Sequence, residues 1–136
     1  MKQIPEQLPQ RPLPTPGTPH VQSLYANIPA TLEEELFLTL AQSGSTRIER
    51  IVSEGQATPP GEWYDQGWDE WVLLVAGEAL LLFEEPATTL TLKPGDHIMI
   101  PAGTRHRVEW TDATQKTIWL AVHCDATRAI YSGATT

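Results

Sequence analysis

Four imidazoles (His20, His97, His106 and His123) and one thiol (Cys124) are the side chains of this chain whose ordinary pKa values lie nearest neutral pH. His106 stands between Arg105 and Arg107. On a strand, alternation sends both guanidinium groups to the face opposite the imidazole, where they read as surface groups. Upstream, Trp63-Tyr64-Asp65-Gln66 precedes Glu70. Tyr64, Gln66 and Glu70 share parity, so an unbroken strand aims them at one face. Asp65 faces away unless a bulge shifts the register. Trp63, Tyr64, Trp68, Trp71 and Trp110 gather around these positions. Aromatic walls with a few polar groups describe a small-molecule pocket, in which an imidazole hydrogen-bonds the ligand or serves as acid or base. Arg47 and Arg50 differ in parity, so at most one points inward; an inward Arg50 would suit a ligand carboxylate. His97 follows a turn, with its parity relative to His106 unset. His123 ends the apolar run Ile118-Trp119-Leu120-Ala121-Val122 and reads as a core or edge residue. Cys124 reads as inert. No phosphate-binding Gly loop, Gly-x-Ser-x-Gly elbow or Cys-x-x-Cys pair competes with this cluster.

The elements that must position these groups follow from pattern. Six of the twelve prolines fall in the first nineteen residues (Pro5, Pro9, Pro12, Pro14, Pro16 and Pro19) with few large apolar partners. Such a segment cannot repay its ordering entropy, so residues 1–22 are expected to form an extended arm. Its Pro-x-x-Pro spacings suit either a passive arm or a polyproline-reading partner. A capping box of Thr31 and Glu34, the apolar spacing of Leu32, Leu36, Phe37 and Leu40, and Gly44 as a stop predict one short helix. Beyond Thr46 the pattern is strand and turn. Gly77-Glu78 separates Trp71–Ala76 from Ala79–Phe83 as a tight hairpin. Lys93-Pro94-Gly95-Asp96 reads as a type II turn, with Pro second and Gly third. Thr46–Ser53, Thr88–Leu92, Ile98–Ile100, Arg105–Trp110 and Thr117–Cys124 complete the set. Short strands at this spacing imply an all-β sandwich or small barrel.

The stretch Gly95 to His106 resembles the second cupin motif, Gly-x5-Pro-x-Gly-x2-His-x3-Asn. Gly95, Pro101, Gly103 and His106 stand at its intervals, and Trp110 replaces its final Asn. The first motif, Gly-x5-His-x-His-x3,4-Glu-x6-Gly, is half present: Gly77 follows Glu70 at the required distance, but neither Trp63 and Asp65 nor Tyr64 and Gln66 supplies a histidine. The chain resembles a small single-domain cupin subgroup with Trp-Tyr-Asp-Gln in place of the first-motif histidines. That resemblance implies a single cupin barrel, a double-stranded β-helix or jelly roll, over residues 23–124, with a flexible tail at 125–136 and a homodimer formed by sheet packing.

Cupins typically bind one divalent transition metal with three imidazoles and a carboxylate. The resemblance brings Glu70 and His106 to that position and leaves two readings open. In one, Glu70 and His106 hold Fe, Mn or Zn together with Gln66 or Asp65, a set rich in oxygen donors. In the other, a metal-free barrel binds a small organic molecule through Trp63, Tyr64, Gln66, Glu70 and His106. Functionally these correspond to a small-molecule-binding cupin, a metal-dependent enzyme of dioxygenase or isomerase type, or a non-catalytic sensor or structural barrel. In the last case His106 and Glu70 are a satisfied buried pair.

Whole-chain numbers narrow the partners. The 136 residues fit one domain, and a net charge of −8 with pI about 4.8 argues against nucleic acid and against anionic membrane surfaces. A single cysteine excludes an internal disulfide framework, and no apolar run reaches the ~20 residues of a membrane span. The absence of an apolar signal core at the N-terminus makes cytoplasm the expected location.

Overall fold

Alternating apolar side chains recur from Leu36 to Cys124, and each alternating stretch is a strand. In the computed structural model, which describes residues 17–126, the strands are β1 (Leu36–Ser43), β2 (Thr46–Ser53), β3 (Asp69–Ala76), β4 (Ala79–Phe83), β5 (Thr88–Leu92), β6 (His97–Ile100), β7 (His106–Thr111) and β8 (Thr117–Cys124). Five of them form one sheet in the order β1-β2-β8-β3-β6, and β5-β4-β7 form the other. Every pairing is antiparallel. The expected arm at residues 1–22 and tail at 125–136 fall largely outside the described residues.

Two turns fix how the sheets meet. Gly77 has φ +89 at the bend after β3 and Gly95 has φ +96 as the third residue of a type II turn; the hairpin expected at Gly77-Glu78 is not formed, because β3 pairs with β6 and β8 while β4 pairs with β5 and β7. The bend at Gly77 joins β3 to β4 and so carries the chain from one sheet to the other. The inner faces of the two sheets then meet in one core. Val72, Leu74, Trp119, Ala121 and Ile100 pack against Ala79, Leu81 and Leu92. Each fully buried large aliphatic side chain is worth roughly 1.5–3 kcal/mol relative to exposure. The result is the all-β jelly-roll barrel that the strand spacing implied.

The short helix expected between Thr31 and Gly44 is not formed; Leu36–Ser43 is strand β1 instead. Leu36, Phe37 and Leu38 pair with Val52, Ile51 and Arg50, and Gly44 (φ +58) sits in the turn to β2 rather than at a helix end. The capping box is a local preference of ~1 kcal/mol. A full ladder against β2, with Leu36 only 1% exposed, outweighs it. The preceding segment does cover the outside of the sheet. Leu24, Ile28 and Leu32 pack on Leu36, Val52 and Ile118. This strap is tied down by Arg50, whose Nη1 donates to the carbonyls of Leu24 (3.1 Å) and Ala26 (2.7 Å). Arg50 thus points to the outer face, so it cannot serve an internal ligand. Burial pulls its pKa down from the ordinary guanidinium value. No helix among the described residues is long and apolar enough to cross a membrane.

Candidate functional site

His106 opens β7, and its backbone bridges Tyr64. Tyr64 N–H donates to His106 O (2.7 Å) and His106 N–H to Tyr64 O (3.1 Å). Bridged residues share a face. The Tyr64 ring accordingly stacks on the imidazole, with centroids 5.5 Å apart and planes 27° apart. On β4, Phe83 is the register partner of His106, and its ring lies 5.9 Å away. The turn before β7 is also fixed. The carboxylate of Asp69 accepts from Ala102 N–H (2.8 Å), and Gly103 N–H donates to Gln66 O (2.8 Å).

Glu70 reaches the same place from β3. Its Oε1 lies 4.0 Å from His106 Nε2, and both residues are nearly buried, at 8% and 5% exposure. Gln66 Nε2 donates to that Oε1 at 2.9 Å. The hydrogen bonds decide the imidazole's tautomer. His106 Nδ1 lies 2.8 Å from Thr104 O, and a carbonyl only accepts. In the neutral ring the proton therefore sits on Nδ1, and the Nε2 lone pair faces Glu70. Nε2 makes no hydrogen bond among the described residues. A lone pair and a carboxylate oxygen thus converge without a hydrogen between them.

A second acid–imidazole pair lies beside the first. His123 on β8 is the register partner of Glu70, so the two side chains share the inner face. His123 Nδ1 accepts from Trp68 Nε1 (2.9 Å), and Nε2 lies 3.1 Å from Glu49 Oε1. Indole only donates, so the neutral His123 carries its proton on Nε2 and gives it to Glu49. The two imidazoles therefore hold opposite tautomers. Further along the inner face, Trp119 Nε1 donates to Ser53 Oγ (3.2 Å), and Ser53 Oγ donates to Glu35 Oε2 (2.7 Å). Tyr64 is half-exposed as a residue. Its phenol is nonetheless raised above its ordinary value, by desolvation first and then by the carboxylates of Glu35, Glu70, Glu49 and Glu62. It stays protonated, and able to donate, at neutral pH.

Of the residues singled out in the sequence, the fold brings together Tyr64, Gln66, Glu70 and His106. Trp63 is elsewhere. Its ring carries the guanidinium groups of Arg105 (5.6 Å) and Arg107 (6.0 Å), which alternate to the side of β7 away from His106. Arg107 also donates to the carbonyls of Thr58, Pro59 and Glu62, fixing the loop that leads to Tyr64. Asp65 is exposed. Trp71 pairs with His97 on the outer face through a 3.3 Å hydrogen bond. Trp110 is 40% exposed, at a register shift that separates it from the inward row. Cys124 is raised by burial and by Asp69 and Asp125, as suits an inert thiol. The sequence reading missed Glu49, Glu35 and the inward aim of His123. Parity gave a usable signal, because Glu49 matches Ile51 and Ser53, and His123 matches Trp119 and Ala121. Which parity faces inward depended on the strand order.

A resident divalent metal of the kind the resemblance implies would need about three protein donors. Here His106 and Glu70 face each other, Gln66 commits its amide to Glu70, and Asp65 is exposed. Among the described residues no group of three or more His, Cys, Asp or Glu side chains is arranged to hold a metal. The donor set does not fit the metal. A separate open cavity of about 370 Å³ lies between the β5 and β6 edges, lined by Leu90, Leu92, Asp96, His97 and Ile98 among others. It contains no converging acid–base pair, so the buried cluster around His106 is the chemically capable place.

Residues 49–123 match the family model described as Cupin domain. A solved structure of a proposed mannose-6-phosphate isomerase from Ralstonia eutropha JMP134 is 46% identical, covering 79% of this chain and 100% of that one, with a TM-score of 0.76. A cupin superfamily protein from Desulfitobacterium hafniense DCB-2 is 26% identical over 87% of this chain and 94% of that one (TM-score 0.62). The polyketide cyclase RemF from Streptomyces resistomycificus shares the fold at 21% identity, over 67% of this chain and 65% of that one (TM-score 0.58). No functionally curated protein is significantly similar to this chain.

Proposed function

The chain belongs to the cupin domain family, and from that premise we propose that it binds a small molecule at the end of the barrel, against His106, Glu70, Tyr64 and Gln66. One observation carries this reading. The Nε2 of a nearly buried imidazole lies 4.0 Å from the carboxylate oxygen of a nearly buried glutamate, and no described residue donates a hydrogen bond to Nε2. An imidazole nitrogen with a free lone pair accepts from any donor that reaches it. A ligand group with hydrogens to give would satisfy both acceptors at once.

The test is thermal denaturation of the full chain and of His106→Ala against a metabolite panel. A ligand that binds only the native state raises the melting point, by about 2.7 kcal/mol of stabilisation at a hundred times Kd. The ligand response is expected to vanish in His106→Ala. A variant that responds like its parent would remove the site assignment.

A second reading makes the same pair catalytic. His106 Nε2 is positioned as a base, Glu70 stabilises the imidazolium that results, and the protonated Tyr64 phenol can polarise a carbonyl. Those are the parts of a proton-transfer isomerisation, the class named for the 46% identical relative. Isomer interconversion by the parent, lost in Glu70→Gln, would support it. We also propose a homodimer formed through the outer face of the five-stranded sheet. There Leu38, Ile48, Leu73, Leu120 and Val122 are only partly buried. Light scattering that gives a monomer mass at micromolar concentration would exclude it.

A further inference from the structure

The charges around the site select among ligands. Each described lysine and arginine except Arg47 is engaged away from the inner face. Lys93 pairs with Glu78, Lys116 with Glu54, Arg105 with Glu84 and Arg107 with Glu109. Arg50 is held by the outer strap. Arg47 reaches the inner row only beside Glu49, at 4.0 Å. The inner face itself carries Glu35, Glu49 and Glu70. Of these, Glu70 finds no ion-pair partner but His106 among the described residues. His123 commits Nδ1 to Trp68 and Nε2 to Glu49.

Among the described residues, an anionic ligand beside Glu70 would therefore meet a carboxylate and a lone pair, the one guanidinium on the inner row being Arg47, which stands beside Glu49. A cation meets the reverse. Glu70 Oε1 and His106 Nε2 both accept, and their 4.0 Å separation lets one ammonium group donate to each. The Tyr64 and Phe83 rings flank the imidazole and hold its plane, which keeps Nε2 directed at Glu70. We infer that the site takes a small organic cation, a primary amine whose ammonium sits between Glu70 and His106, and rejects phosphorylated ligands. This rests on the ligand-binding reading above and narrows it to one chemical class.

The experiment measures melting points of the full chain with n-butylamine and 1,4-diaminobutane, with n-butanol and 1,4-butanediol, and with inorganic phosphate and glucose 6-phosphate. Each is present at about 10 mM, enough to reveal a millimolar site. Both amines are expected to stabilise the protein, with affinity at least about tenfold above the matching alcohols, and the phosphates are expected to have no effect. Glu70→Gln should lose the amine response, and Glu78→Gln, which alters a surface pair, should keep it. Alcohols or phosphates that stabilise as well as the amines, amines without effect, or an unchanged amine response in Glu70→Gln would each overturn the inference. Phosphate binding that disappears in His106→Ala would sink the cation selectivity alone and leave the ligand site standing. Phosphate binding indifferent to that change would sink both.

Discussion

Substituting Gly77 by Ala is expected to destabilise the barrel more than any other single methyl group added at a turn. The turn there joins β3, which carries Glu70, to β4, which carries Phe83 against His106. Gly77 has φ +89, where a side chain costs about 1–2 kcal/mol. A Cβ would also stand 2.3 Å from Thr117 Oγ1 and 2.5 Å from Thr117 Cα. The second contact is with backbone, so a side-chain rotation does not relieve it, and overpacking of this kind adds about 1–3 kcal/mol. Gly95 provides the control. Its φ is +96, but an added Cβ meets nothing within 4 Å, so Gly95→Ala should cost only the conformational part. The difference between the two variants isolates the clash, at about 1–3 kcal/mol. The two parts sum to about 2–5 kcal/mol, and at ~4 °C per kcal/mol for a domain between the two size classes Gly77→Ala should melt on the order of 10–20 °C below the parent. Urea unfolding with unchanged m-values would give both free energies. If Gly77→Ala loses no more than Gly95→Ala, the close approach of this turn to Thr117 at the start of β8 is wrong.

Three further outcomes are expected. Arg50→Ala leaves the carbonyls of Leu24 and Ala26 without their donor and should cost ~2–4 kcal/mol, with proteolysis starting in the strap; a melting point unchanged from the parent would show that the guanidinium does not anchor it. The second concerns acid. The Leu32 N–H and Lys116 lower Glu54 below its ordinary carboxylate value of 4.5. A depressed folded pKa gives stability that is present above the unfolded value and is lost as pH falls through the folded one. The protection of the Leu32 amide, taken relative to its intrinsic exchange rate at each pH, should therefore fall as pH drops below the ordinary carboxylate value of 4.5, and Glu54→Gln should abolish that loss. For metals, elemental analysis of protein purified without a metal-affinity tag should find less than about 0.1 atom of Fe, Mn or Zn per chain; near-stoichiometric metal would show that the donor set was misjudged.

Much of the fold was legible in local sequence. Gly77-Glu78 and Lys93-Pro94-Gly95-Asp96 announced their turns because both need a positive φ that few residues other than Gly adopt. β2, β4, β5 and β8 match the strands expected from alternation. β1 did not, because Thr31, Glu34 and Leu36 carry helix signals that act over one turn, and the partner that overrode them, β2, is recruited by edge pairing. The site was half legible for a related reason. The intervals around Gly95 and His106, and from Glu70 to Gly77, placed one acid and one imidazole. Glu49 and His123 join them only through the order β2-β8-β3, a non-local fact. Trp63 lies away from the imidazole because the chain bridges His106 through Tyr64, which turns its neighbour to the opposite face.

The most direct test of the facing pair is the ¹⁵N shift pattern of the imidazoles in the full chain, recorded where both rings are neutral. His106 should show the proton on Nδ1 with Nε2 bare, and His123 the reverse, with the Nε2 resonance of His106 moving in Glu70→Gln. A proton on Nε2 of His106, or an averaged pattern typical of a solvent-exposed ring, would contradict a buried lone pair directed at Glu70.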